Sequence, residues 1–449
     1  MTDLTAPAPV PVLAGAAKVD ITPPVGLPMG GYGARSERSR GIVDPLHARV
    51  AVLSDGRGDI AVIVCDLLGV GSELVAETRR QVEERAGVPP ERVLVAATHT
   101  HAGPAGLRLR DAPEFVAITA AKLAGAVAMA RRAAVPVLLE AGSVELGSIS
   151  LNRRDPAGPI EDTLRVLVAD PGRDRPPVFA LVSYACHSTV REHDNLEYSA
   201  DWPGAMARSL ERNLGGTAIY LQGAAGDINP VWTAHDHAEV ERVGGIVGAA
   251  ATRLALEMRP LASGGQRSFN LSWSEEVEVP ATGRLLSGVG LDAAVSHLDV
   301  DRRVRPPVAD TDAELDKLRA EIGSPNVALE QRRRLRARIN ELDVVRQWGL
   351  AELRAGTQAV EVQALRVSEE CAFVSLPGEF FVETGRDVAG RCGLGFPLIA
   401  GYANGSVGYV PPAGQYPEAG YEVGMTQFGP GAAEAVADAA VAAVKSLYD

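Results

Sequence analysis

Short apolar runs that stop at a residue able to carry a proton or a metal set the pattern of this chain. Residues 92–98 run into His99-Thr100-His101-Ala102-Gly103-Pro104, and residues 59–65 end at Asp66. Residues 178–185 end at Cys186-His187, residues 218–221 lead into a Gly-rich turn closed by Asp227, and residues 372–376 lead into Pro377-Gly378-Glu379. Apolar runs of this length without polar alternation read as strands covered on both faces. Helical spacing fills the intervals at 72–86, 113–133, 202–213 and 237–258. The order implies an α/β protein: a mixed β-sheet core, helices around it, and an active site at the strand ends, where loops reach a common crevice.

The remaining segments fit that class. Residues 47–53, 138–144, 164–169, 269–279, 360–367 and 398–402 read as strands; 381–391 and the amphipathic stretch 431–447 read as helices. Residues 1–14 read as a loose Pro/Ala tail, and 15–449 as one catalytic domain. An insertion over 308–356 interrupts it, dense in Glu, Arg and Asp. Leu315, Leu318 and Ile322, then Leu335, Ile339, Leu342 and Val345, stand at helical spacing on either side of Gly323-Ser324-Pro325. That pattern is an antiparallel helical hairpin, either a solvated surface excursion or a lid over the site.

Composition narrows the partners. The chain has 57 acidic and 44 basic residues, a net charge of −13, so it lacks the basic footprint that nucleic acid requires. The four cysteines form no Cys-x-x-Cys pair, and a disulfide framework is not expected. No apolar run is long enough to span a membrane, and the first residues lack a positive n-region and an apolar h-region. The expected address is cytoplasmic, with a homo-oligomer possible.

In an extended chain successive side chains alternate, so His99 and His101 can share a face. Two imidazoles beside a Gly-Pro turn are hard to explain as packing. His187 is a weaker, single signal. A buried Glu379 needs a cation or donors, because an unpaired carboxylate is costly. His235 and His237 flank Asp236 at a helix start, which reads as capping. Two histidines, a glutamate and an open position would make a workable catalytic zinc set, suited to hydrolysis of an amide or ester. Neither a P-loop nor a Gly-x-Ser-x-Gly elbow is present to support phosphate binding or a serine nucleophile.

Several stretches, in order, resemble the neutral/alkaline non-lysosomal ceramidases: Val19-Asp20-Ile21-Thr22-Pro23-Pro24, His99-Thr100-His101-Ala102-Gly103-Pro104, Asn152-Arg153, Cys186-His187-Ser188-Thr189, Gly223-Ala224-Ala225-Gly226-Asp227, Pro377-Gly378-Glu379, and a loop carrying Tyr409, Tyr416 and Tyr421-Glu422. The resemblance implies that His99, His187, Glu379 and Tyr409 bind one Zn2+. It implies that Tyr421 steadies the oxyanion and that His101 and Arg153 line the substrate side. The chain departs from the family at Asn229, where the family pattern Gly-Asp-Val-Ser-Pro has serine. The sequence runs only a short way past the tyrosine loop, so the C-terminal immunoglobulin-like domain of the ceramidases is not expected.

The expectation is therefore a zinc-dependent hydrolase cleaving an amide or ester in a small-molecule or lipid-like substrate by metal-activated water, ceramidase-like but not acting on ceramide itself. A zinc lactonase or esterase on a small soluble substrate and a non-catalytic ligand-binding member are the alternatives.

Overall fold

A computed structural model describes residues 12–105, 113–147, 149–172, 174–259, 268–270, 276–278, 283–324, 327–350, 356–418 and 420–448. The first half contains β1 (Val12–Asp20), β2 (Gly41–Ile42), β3 (His47–Ser54), β4 (Asp59–Cys65), α1 (Ser72–Ala86), β5 (Val93–Ala97), α2 (Pro113–Arg132), β6 (Val135–Glu145), β7 (Ser150–Asn152), β8 (Thr163–Asp170) and β9 (Phe179–Tyr184). There follow β10 (Glu197–Tyr198), α3 (Asp201–Leu214), β11 (Thr217–Gln222), β12 (Ile228–Pro230), α4 (His237–Met258), β13 (Ser268–Asn270), β14 (Glu276–Glu278), β15 (Gly283–Leu285) and β16 (Asp292–Asp301). The last part is α5 (Val308–Ile322), α6 (Leu329–Leu350), β17 (Thr357–Arg366), β18 (Cys371–Ser375), β19 (Glu379–Phe380), α7 (Val382–Arg391), β20 (Phe396–Ala400), β21 (Tyr409–Val410), α8 (Tyr421–Met425) and α9 (Ala432–Lys445).

The main sheet runs β11-β9-β8-β6-β1-β3-β4-β5, with β15 added to β6. Only β11–β9 and β4–β5 pair in parallel there. Alternation along each strand splits its side chains between two cores. Val50, Ile63, Val95, Val166 and Val182 face α1 to α4. Leu53, Val62, Leu94, Leu167 and Leu181 face a second sheet, β16-β17-β18-β20, through Leu365, Phe373 and Leu398. The far side of that sheet is covered by α7 and α9 around Val362, Val374, Val436 and Val441. The layers are thus helix, sheet, sheet, helix. This explains why the strands read as continuous apolar runs: both faces are buried.

The mixed α/β class expected from the sequence holds, and the stacked second sheet adds to it. Most element ends shift by one to three residues, and two shifts bear on the architecture. Residues 12–14 are not tail but the start of β1, registered with both β3 and β6, because Val12 and Ala14 are buried between the sheets. Tyr402 is not strand: it has φ +54 and follows the end of β20. Residues 1–11 of the expected tail, Pro325, and residues 271–275 of the expected strand 269–279 lie outside the described residues.

The charged insertion is a helical hairpin, α5 and α6, growing from between the paired strands β16 and β17. It does not stand free in solvent: α6 packs against α8. Buried Arg305, at the base of the hairpin, donates to the carbonyls of Gly424 and Thr426. Arg303 donates to the carbonyl of Val423 at 3.3 Å. Asp236 caps α4 as expected, accepting from the Glu239 amide at 2.9 Å. No helix among the described residues is long and apolar enough to cross a membrane.

The edge strands β5 and β11 are tied together by residues 401–404. Gly401 N donates to Gln222 O at 2.8 Å, Ala97 N to Tyr402 O at 3.2 Å, and Asn404 N to Val95 O at 2.7 Å. The loops after β5, β9 and β18 therefore open into the same place.

Candidate metal centre

His99 follows β5 in a left-handed conformation, φ +63. An L-residue there costs roughly 1–2 kcal/mol, a strain that characteristically collects at functional sites. The turn swings the imidazole inward, where its Nδ1 lies 2.6 Å from Leu68 O. His187, after β9, is fully buried, with Nδ1 2.6 Å from Ala225 O. A carbonyl can only accept, so both Nδ1 atoms carry the proton and both Nε2 atoms present a lone pair. Those two Nε2 atoms lie 3.5 and 3.6 Å from one oxygen, Oε2 of Glu379.

Glu379 opens β19, directly after the Pro377-Gly378 turn. Residue 409 is its register partner in parallel β21, so the Glu379 and Tyr409 side chains leave the ribbon on one side. A Cβ at Gly226 would stand 2.5 Å from Glu379 O, so only glycine allows the approach of that turn. His101 Nε2 is 3.1 Å from His99 Nε2. Its ring is set by Tyr32, edge-on at 4.9 Å, and by Gly31, where a Cβ would sit 2.6 Å from the His101 ring.

Arg153 joins the remaining candidates. Its Nη2 donates to the Tyr409 hydroxyl at 3.1 Å and to Gly226 O at 2.8 Å, its Nη1 to Asn229 Oδ1 at 3.3 Å, and its Nε to Glu422 Oε1 at 2.7 Å. Arg154 holds the other Glu422 oxygen at 2.8 Å. The Tyr421 ring meets Tyr409 edge-on at 5.8 Å and is 49% exposed, so it stands at the mouth.

Electrostatics follow from this packing. Burial pushes the Glu379 carboxyl up, but His99 and His187 outweigh it and hold it well below the usual carboxylate range. Burial, helped by the Arg153 charge, pushes His187 down to about 4. Burial and the neighbouring imidazoles keep His101 well below its ordinary value. Burial and then the Glu379 charge raise the Tyr409 hydroxyl well above the usual range, with Arg153 opposing.

The nitrogens of His99, His101 and His187 all lie within 4.8 Å of one another. Two buried atoms, His187 Nε2 and Glu379 Oε2, have no hydrogen-bond partner. An orphaned buried acceptor costs about 1–3 kcal/mol. A cation between them would remove that cost, so the donor set fits a metal. Imidazole with carboxylate oxygen suits a first-row transition ion, zinc, iron, nickel and copper among them.

Three features escape the sequence reading. Tyr402 stacks on His99 with centroids 4.0 Å apart, and its buried hydroxyl also lacks a partner. Its left-handed backbone is the signal, and that is not visible in an apolar run. Glu422 holds both arginines; its place beside Tyr421 is the available hint. The carbonyls of Leu68 and Ala225 have no sequence signature. Conversely, Asp66 and Asp227 end strands but serve structure. Asp66 pairs with buried Arg49 at 2.9 Å. Asp227 accepts from Asn152 Nδ2 at 2.7 Å and Val382 N at 2.8 Å.

Comparison with known proteins agrees with the geometry. Residues 12–234 match the family model of the neutral/alkaline non-lysosomal ceramidase N-terminal domain. The fold is similar to the crystal structure of neutral ceramidase from Pseudomonas aeruginosa, with TM-score 0.70 and 20% identity over 98% of this chain and 74% of that one. A ceramidase complexed with C2 gives TM-score 0.71 and 19% identity over 98% and 75%. Residues 12–234 therefore belong to the N-terminal domain of the neutral/alkaline non-lysosomal ceramidase family, and the fold of the chain is that of the neutral ceramidase structures.

Proposed function

We propose that this protein is a zinc-dependent hydrolase that opens an amide or ester bond with water. The observation that carries the reading is the convergence of two carbonyl-fixed imidazoles on an orphaned carboxylate oxygen. His99, His187, Glu379 and Tyr409 would hold the ion. When bound, Zn2+ supplies an acidified water, with a pKa of ~7, and polarises the scissile carbonyl.

The chain's own residues would do the rest. Arg153 sets a fixed positive charge beside Tyr409, suited to an oxyanion developing there. Tyr421, at the mouth, can donate its phenolic proton to the same oxygen. His101, whose Nε2 lies 3.1 Å from His99 Nε2, is placed to pass a proton to the leaving nitrogen or oxygen. Asn229 is no nucleophile. Its amide oxygen helps orient Arg153, which favours attack by water over a covalent route through position 229.

Chelation and reconstitution test this. The zinc-loaded enzyme should hydrolyse amides or esters and lose activity to a chelator, and one equivalent of Zn2+ should restore it. His99→Ala and His187→Ala should neither bind nor respond. Metal-free protein that hydrolyses as fast as loaded protein would rule the reading out, and stoichiometric zinc without turnover of any amide, ester or lactone would favour the non-catalytic alternative.

A further inference from the structure

We propose that the substrate is a hydrophilic amide or ester bearing a carboxylate, and that Arg303, on a wall completed by the inserted hairpin, receives that carboxylate. The inference rests on the hydrolase reading above and specifies its substrate. Next to the centre, and joined to it through the Arg153 and Tyr421 contacts with Tyr409, is a cavity of about 500 Å³ lined by Arg153, Arg154, Glu418, Gly420, Tyr421 and Glu422. No aliphatic side chain is among them. Beside it, also reaching Gly420, lies a second cavity of about 470 Å³. There α6 contributes Arg338 and Glu341, and Arg303 stands at the hairpin base; Val423 and Pro430 are its aliphatic side chains.

A hydrocarbon chain gains about 25 cal/mol for each Å² of apolar surface it buries against apolar neighbours. Along these walls it would instead strip water from charged groups, which costs free energy unless they find new partners. A polar substrate keeps them satisfied. The charge count gives the sign. Arg153, Arg154, Arg303 and Arg338 face Glu341, Glu418 and Glu422, one excess positive charge on a chain whose net charge is −13.

That excess can be assigned to a residue. Arg153 and Arg154 share Glu422, and Arg338 is held by Glu314 and Glu341. Arg303 donates to a backbone carbonyl, and among the described residues no carboxylate lies within ion-pair distance of it. Its Nε and Nη2, which donate to no described residue, are free to take a carboxylate in two-point fashion. The hairpin also fixes the geometry of this wall. Arg303 and Arg305 hold the last carbonyls of α8, whose first turn carries Tyr421 and Glu422.

The test uses the zinc-loaded full chain and three substrates: an N-acetyl amino acid, its neutral carboxamide twin, and a long-chain N-acyl amide. The N-acetyl amino acid should be turned over with at least about tenfold higher kcat/KM than its twin, and the long-chain amide most slowly. In Arg303→Gln the carboxylate preference should fall roughly ten- to a hundredfold, as expected for loss of a charge-assisted hydrogen bond, through KM and not kcat. Arg303→Lys should recover part of it. A wild-type preference near one, faster turnover of the long-chain amide, or a preference unchanged in Arg303→Gln would overturn the proposal. Calorimetric binding of the N-acetyl amino acid separates the two layers. Binding that depends on Arg303, with no amide, ester or lactone turned over by the zinc-loaded chain, would refute the hydrolase reading and keep the carboxylate site; turnover without that dependence would do the reverse.

Discussion

Arg153→Met removes the cation that ties the centre to its mouth, and its effect can be worked from the contacts. Four bonds disappear: to Glu422, Gly226, Tyr409 and Asn229. Breaking a buried ion pair by deleting one partner costs ~3–5 kcal/mol when the other charge is stranded. Glu422 is not stranded, because Arg154 still holds its second oxygen. The expected stability loss is therefore smaller, about 2–3 kcal/mol, for one charge-assisted bond and the weaker neutral ones. Activity should suffer more. Loss of one donor aimed at a developing oxyanion lowers kcat by ~10²–10³. Arg153→Lys keeps the charge but not the fork, which cannot be replaced at four acceptors, so it should recover only part of the rate. Urea unfolding, zinc content and steady-state kinetics on the same preparations separate the two effects. A variant that binds zinc and retains kcat within about threefold of wild type would refute the reasoning, since a fixed charge worth ~3 kcal/mol in the transition state could not then be absent.

Other consequences follow from individual contacts. Gly31→Ala places a Cβ 2.6 Å from the His101 ring at a backbone φ of +99; it should lower stability by ~1–3 kcal/mol and kcat by more than KM, checked by thermal unfolding beside kinetics. Tyr402→Phe keeps the stack on His99 and deletes a hydroxyl with no protein partner, so stability should be unchanged or rise by up to ~1 kcal/mol; a clear loss in denaturant titration would mean that the hydroxyl is satisfied by water or substrate. Asp201 accepts the amide protons of Val190, Arg191 and Trp202, yet burial raises its carboxyl to about 6. A raised carboxyl contributes stability that is complete below the unfolded value of 3.8 and is lost as pH rises through about 6. Relative to wild type, Asp201→Asn should therefore gain about 3 kcal/mol between about pH 4 and pH 7 in paired denaturant curves. A gap that does not move with pH would contradict the sign.

Much of the centre was legible because strand ends are legible. An apolar run that halts at His99, His187 or Glu379 reports burial and interruption together, and both are local. Arg153 and Tyr421 could be named only through the family pattern, since nothing in their neighbours distinguishes them from surface residues. The second sheet was harder to read. β16 and β17 pair across the whole inserted hairpin, and β16 exposes enough of one face to blur its period. Tyr402 reads as the last residue of a strand until the left-handed backbone is seen. The contact of α6 with α8 depends on how the hairpin folds back, which its own helical spacing does not encode.

The metal shell itself is the most direct test. X-ray absorption at the zinc edge, on protein loaded with one equivalent, should show about four nitrogen or oxygen ligands at ~2.0–2.1 Å, with imidazole scattering from two histidines and no sulfur. Glu379→Gln should weaken binding and alter that shell, while Arg303→Gln should leave it as in wild type. A sulfur-containing shell, or a zinc spectrum unchanged in His99→Ala and His187→Ala, would contradict the centre described here.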